Sequence, residues 1–185
     1  MTINELRRLL RADLARLSPP QKKGELPLIK WRNVFNPRFT PVLMIRLSRY
    51  FYLIPWLRPL SLLFTWFSFF LFGIECTAKC DVGPGLMLPH TSGTVIGASR
   101  IGANVTIFQG VTLGAINADM DFDLTLRPIL GDGVLVGAGA KILGGITIGN
   151  NVRVGANAVV LDSFSQNAVV VGIPAKAVKL LDNVI

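Results

Sequence analysis

From Leu130 the chain runs in sixes: "LGDGVL VGAGAK ILGGIT IGNNVR VGANAV VLDSFS". Every block opens on an aliphatic residue, in turn Leu130, Val136, Ile142, Ile148, Val154 and Val160. Glycine follows at Gly131, Gly137, Gly149 and Gly155. A period of six matches neither the turn of an α-helix nor the alternation of a strand. A short strand and a turn, repeated, accounts for it. Three blocks close one triangular coil, so Leu130 is expected to stack beneath Ile148 and Val136 beneath Val154. The block-opening aliphatics then form an inward column, and the glycine beside each is expected to permit the turn. Val95, Ile101, Ile107 and Leu113 keep the same period upstream, and Val82 and Leu88 begin a further set.

The period breaks at "AINADMDFDLTLRP", residues 115–128. Asp119, Asp121 and Asp123 alternate there, but the glycine and terminal glutamate of a calcium loop are missing, so no metal is expected. The segment reads as a mobile loop beside a functional site.

The first third of the chain differs in kind. Residues 1–58 hold twelve Lys/Arg against three Asp/Glu, a net of +9, and residues 59–185 hold seven against eight, a net of −1. Residues 3–17 carry leucines at helical spacing opposite arginines, and "SPPQKKGELP" reads as the linker that ends this helix. The chain turns apolar from Pro41, and Pro55 and Pro59 divide that stretch into two helices. No charge falls between Pro59 and Ile74. As a helix this stretch reaches about 24 Å, short of the roughly 30 Å hydrocarbon core. It is therefore expected to lie at the inner-membrane surface, with Arg46, Arg49 and Arg58 near headgroups. The competing reading is packing against the rest of the protein or a neighbouring subunit. No nucleic-acid motif accompanies the basic residues, so no nucleic-acid partner is expected. The N-terminus lacks an apolar signal region, which points to a cytoplasmic protein peripheral to the membrane. Cys76 and Cys80 match no zinc or redox spacing and read as reduced structural thiols.

Residues 73–179 carry a family resemblance. "IECTAKCDVGPGLMLPHTSGTVIG", "VTIFQGVTLGA", the hexad run and "VVGIPAKAV" resemble the serine acetyltransferase branch of the hexapeptide-repeat acyltransferases. The resemblance implies a mainly β fold: a left-handed parallel β-helix over 74–173, a short helical and hydrophobic region over 1–73, and a C-terminal tail over 174–185. It also implies a homotrimer with acetyl-CoA as co-substrate. In this branch the histidine of the His-x-x-Gly block is the general base, which assigns His90, the chain's one histidine. The acid fifteen positions upstream orients it, which assigns Glu75. A hydroxyl is a poor nucleophile near neutral pH, and an imidazole can take its proton as it attacks a thioester. A carboxylate on the other ring nitrogen would fix the tautomer. The family's donor contacts map to Ala115, Ala138 and Ala156 along the pantetheine, and to Arg153 and Lys176 at the phosphate end.

Three departures bear on the acceptor. Serine acetyltransferases carry a second histidine where Arg127 stands, an aspartate where Pro89 stands, and a longer helical domain. Arg127 is then a substrate-binding residue that repels an ammonium group. The chain resembles the short colanic-acid-type members of the branch, which likewise have a glutamate upstream, as Glu75 is here. The expected reaction is acetyl transfer to a sugar hydroxyl of a capsular or exopolysaccharide precursor. A serine O-acetyltransferase and a non-catalytic scaffolding β-helix are the alternatives.

Overall fold

The computed structural model describes residues 1–18, 26–119 and 121–180. Three helices lead into a three-sided stack of short parallel strands. Helix α1 spans Ile3–Ala15, ending two residues before Leu17. The Thr2 hydroxyl caps it by accepting from the Glu5 amide at 3.2 Å, and Leu6, Leu9, Leu10 and Leu14 are buried. Most of the expected linker lies outside the described residues. Helices α2, Thr40–Tyr52, and α3, Arg58–Phe72, form a hairpin with prolines in their first turns. The Ser48 hydroxyl lies 3.2 Å from the Ser61 hydroxyl and 2.8 Å from that of Thr65, joining the two helices. Gly73 ends α3 in the left-handed conformation, with φ of 63°.

The strands form three faces. The first holds β1 (Ile74–Cys76), β3 (Thr94–Ile96), β6 (Thr112–Gly114), β9 (Lys141–Leu143) and β12 (Val159–Val160). The second holds β2 (Asp81–Val82), β4 (Arg100–Ile101), β7 (Ile129–Leu130) and β10 (Thr147–Ile148). The third holds β5 (Thr106–Ile107), β8 (Leu135–Val136), β11 (Arg153–Val154), β13 (Ala168–Gly172) and β14 (Ala175–Leu180). All the pairs are parallel except β13 with β14, and the whole is a left-handed parallel β-helix. Leu130 pairs with Ile148 and Val136 with Val154, as the period predicts. The interior also takes a second residue from four of the six blocks: Val134, Ala140, Val152 and Ala158 are as buried as the block openers.

The glycines act differently from the expectation. Gly131, Gly137, Gly149 and Gly155 are not the residues with positive φ. They are small because successive coils press together there. A Cβ on Gly149 would sit 2.5 Å from the Gln166 amide nitrogen, and one on Gly137 would sit 2.6 Å from that of Ala156. The left-handed turn falls two residues later in each block, at Gly133, Gly139, Asn151 and Asn157. Asparagine tolerates that conformation better than other side chains. Gly149→Ala is therefore expected to cost about 1–3 kcal/mol through overpacking. Gly114→Ala, where a Cβ meets nothing within 4 Å, is expected to be near neutral. Denaturant midpoints of the two variants check this.

Within the expected C-terminal tail, β14 folds back antiparallel on β13, with Lys176 opposite Val171. The remainder of the expected tail, 181–185, lies outside the described residues. Arg46 is not at a surface where a headgroup could reach it. Its side chain is 3% exposed and meets the Asp13 carboxylate, itself 1% exposed, through Nε at 2.9 Å and Nη2 at 2.9 Å. It also donates to the carbonyls of Val82 and Gly83. Asp13 Oδ1 in turn accepts the amides of Gly85 and Leu86 at 2.9 Å each. One buried ion pair thus fastens α1 and α2 to the first coil. Arg49 is also turned inward, donating to the carbonyls of Ala78 and Lys79, while Arg58 remains exposed.

Candidate active site

His90 lies on the corner between the third and first faces. Its strand is the first coil's third side, where Met87 bridges Thr106. The chain then turns through Thr91, Ser92 and Gly93 into β3. Gly93 has a φ of 71°, and its amide donates to the Gly73 carbonyl at 3.0 Å. The corner is laddered by backbone bonds: Gly110 N–H to Ser92 O at 3.0 Å, Gly139 N–H to Gln109 O at 2.9 Å, and Asn157 N–H to Ala138 O at 2.8 Å. His90, Ala138 and Ala156 therefore share one edge of the prism. The imidazole is exposed to solvent. A small-residue edge beside an exposed base has room for an extended chain to lie along it.

The other expected site residues are spread more widely. Ala115 sits at the next corner, where β6 leaves for the excursion. Arg153 and Lys176 are exposed on the third face, on β11 and β14, with β13 between them. Two cations on one side of that edge suit the phosphates of a long anionic donor.

Glu75 is on the first face, in register with Val95 of β3. It is exposed, and no hydrogen bond or ion pair joins it to His90 within the protomer. The expected carboxylate–imidazole pair is thus not made inside one chain. The cause is the corner: His90 precedes it and Glu75 pairs with a residue beyond it. Glu75 instead lines a cleft of about 480 Å³ with Lys79, Gly97, Asp119, Phe122 and Arg127.

That cleft is roofed by the excursion, which is tied down rather than loose. Arg127 Nη2 and Nε meet Asp119 Oδ2 at 2.8 and 3.1 Å, and Nη1 donates to the Gly97 carbonyl at 3.2 Å. The guanidinium also stacks 3.5 Å from the Phe122 ring centroid. Lys79 Nζ donates to the Asp121 carbonyl at 3.0 Å, which brings the β1–β2 loop onto the excursion. Phe122 is held at φ of 59°, a conformation that costs a non-glycine residue roughly 1–2 kcal/mol. Asp123 caps a short 3₁₀ turn, Leu124–Leu126, and the Thr125 amide and hydroxyl hold its carboxyl below the usual range.

The expectation for Arg127 changes accordingly. Its charge is already met by Asp119, so it is not a free cation that would repel an ammonium group. Asp119, Lys79 and Phe122 were missed as site residues because they become neighbours only when the excursion closes. The alternating acids, with an arginine eight residues after the first, were the available signal. Cys76 and Cys80 are buried, and burial pushes both thiols up, that of Cys80 to about 12. Neither supplies a thiolate nucleophile.

Residues 127–162 match the family model described as bacterial transferase hexapeptide (six repeats). A serine acetyltransferase of Staphylococcus xylosus is 49% identical over 111 residues, which are 60% of this chain and 50% of that protein. The chain thus spans about half the length of that curated relative. The crystal structure of a Neisseria gonorrhoeae serine acetyltransferase superposes with a TM-score of 0.79 at 30% identity, covering 97% of this chain and 67% of that one. A serine acetyltransferase structure in complex with CoA superposes with a TM-score of 0.75 at 28% identity, covering 95% and 71%. These relatives are serine acetyltransferases rather than colanic-acid-type enzymes, and they overturn the expected sugar acceptor. One of the premises for a sugar, an unpaired Arg127, also fails physically, because Asp119 meets its charge. The hexad run, the coil stack it builds and these likenesses together show that the chain belongs to the hexapeptide-repeat acyltransferases.

Proposed function

We propose that the protein transfers an acetyl group from acetyl-CoA to the hydroxyl of serine. The observation that carries this reading is the charge pattern of the cleft. Its charged lining is Glu75, Lys79, Asp119 and Arg127, two of each sign. Asp119 and Arg127 are paired with each other, which leaves Glu75 to meet the ammonium group of a zwitterion and Lys79 to meet its carboxylate. The likeness to serine acetyltransferases supports the same acceptor.

His90 acts as the base. The serine oxygen attacks the thioester carbon while the imidazole takes the hydroxyl proton. The carbon–sulfur bond then breaks, and the leaving thiolate recovers a proton from the imidazolium. Transfer is direct, because no thiol or second imidazole is placed to hold the acetyl group. The donor lies along the edge that carries Ala138 and Ala156, with its phosphates toward Arg153 and Lys176. The likeness to a structure in complex with CoA supports this path. Three copies, packed side by side along their β-helices, would close the donor groove between neighbours. Glu75 is then an orienting residue whose partner is set by that assembly.

The test is thiol release from acetyl-CoA, followed with a disulfide dye while hydroxyl compounds are offered one at a time. Release that depends on serine, and falls sharply with glycerol or a simple sugar, is the expected result. CoA binding without serine-dependent release would refute the acceptor assignment.

A further inference from the structure

We propose that the outer face of α3, with the basic segment around it, docks flat on an anionic lipid bilayer. The face is a continuous apolar stripe. Leu62, Trp66 and Phe70 follow one another at four-residue steps, with Leu63, Phe67 and Leu71 beside them, and all six are exposed. Trp66 is 63% exposed and Phe70 73%. Only Ser61 and Ser68 of this helix are buried, and Phe64 and Phe72 are its half-buried aromatic residues, while Trp66, Phe67, Phe69 and Phe70 face out. That is the reverse of a helix built for water. Trp56 precedes the helix at 78% exposure, and Trp31 lies at 80% in a 3₁₀ turn, Trp31–Phe35, that packs on α2.

Charge selects the occupant. Exposed cations flank these aromatics at Lys30, Arg32, Arg38 and Arg58, with Arg7 and Arg8 on α1. A second copy of the chain laid on the face would bring two segments of net +9 together. A bilayer with anionic headgroups takes the aromatic side chains and neutralises the cations at once. Tryptophan favours that boundary, where its ring is buried and its N–H stays wet. No helix among the described residues is long and apolar enough to cross a membrane, and α3 has only 15 residues. The attachment therefore lies in the plane of the surface.

The test is co-sedimentation of the full chain with vesicles of equal parts phosphatidylglycerol and phosphatidylcholine, and with phosphatidylcholine alone. Binding to the mixed vesicles at least tenfold tighter than to the neutral ones is expected, weakening as salt is raised. The double variant Trp66→Ser, Phe70→Ser is expected to lose at least tenfold of that binding. Its mass by light scattering and its acetyl transfer in solution should be unchanged. Equal binding to both vesicle types, or retention by the double variant, overturns the proposal. So does a fall in mass for the double variant, which would show a second copy on this face.

Discussion

His90→Ala is expected to lower kcat for acetyl transfer by roughly 10²–10⁴-fold, the usual worth of a positioned general base. The fold should be untouched, because the imidazole is exposed and no side-chain hydrogen bond anchors it among the described residues. The KM for acetyl-CoA should change little, since the path proposed for the donor runs along Ala138 and Ala156 rather than on the ring. A drop in kcat at constant donor KM marks an interaction made in the transition state. Steady-state kinetics with an unfolding curve of the variant separates this from lost stability. Activity within tenfold of the parent would move the base elsewhere, yet the chain offers no second histidine and both thiols are buried.

Breaking the Arg46–Asp13 pair is expected to be the most damaging change away from the site. Asp13→Ala leaves a guanidinium that is 3% exposed without its carboxylate, and strips the Gly85 and Leu86 amides of their acceptor. Removing one partner of a buried pair typically costs about 3–5 kcal/mol. That is a large share of a domain's whole stability. The loss should fall first on the helical layer, since the pair joins α1 and α2 to the loop after β2. Limited proteolysis should therefore cut the first 73 residues before the coils. An unfolding midpoint near the parent's, with unchanged proteolysis, would remove the pair from its fastening role. Replacing both partners by apolar residues is the informative control, because such swaps often restore stability.

The coils were legible in the sequence because their register is local. A six-residue period brings Leu130 to Ile148 with no outside information, and the structure pairs them. The reason for the glycines was not legible, because it depends on the distance between two coils rather than on the turn within one. The Asp13–Arg46 pair joins residues 33 apart through folds that no period describes. Its trace was present all the same: Asp13 stands on the leucine face of α1, where a carboxylate needs a buried partner. The flanking residues of His90 single it out in the sequence, and the structure leaves its ring exposed at a corner. That Glu75 does not meet it within one chain was not legible, since a spacing of fifteen residues does not say on which side of a corner each one falls. Arg127 misled because a lone arginine in a sequence looks free, and Asp119 takes its charge only when the loop closes.

The antiparallel return of β14 bears on what the molecule avoids. A stack of parallel coils has no natural stopping point, because the edge left by the last coil matches the edge that began the first. Molecules with bare ends would add to one another in the same register and grow as fibres. Here the last turn of the third face is covered by a strand running the wrong way, and the first turn sits under helices pinned by an ion pair. The two ends no longer match, so each molecule finishes itself.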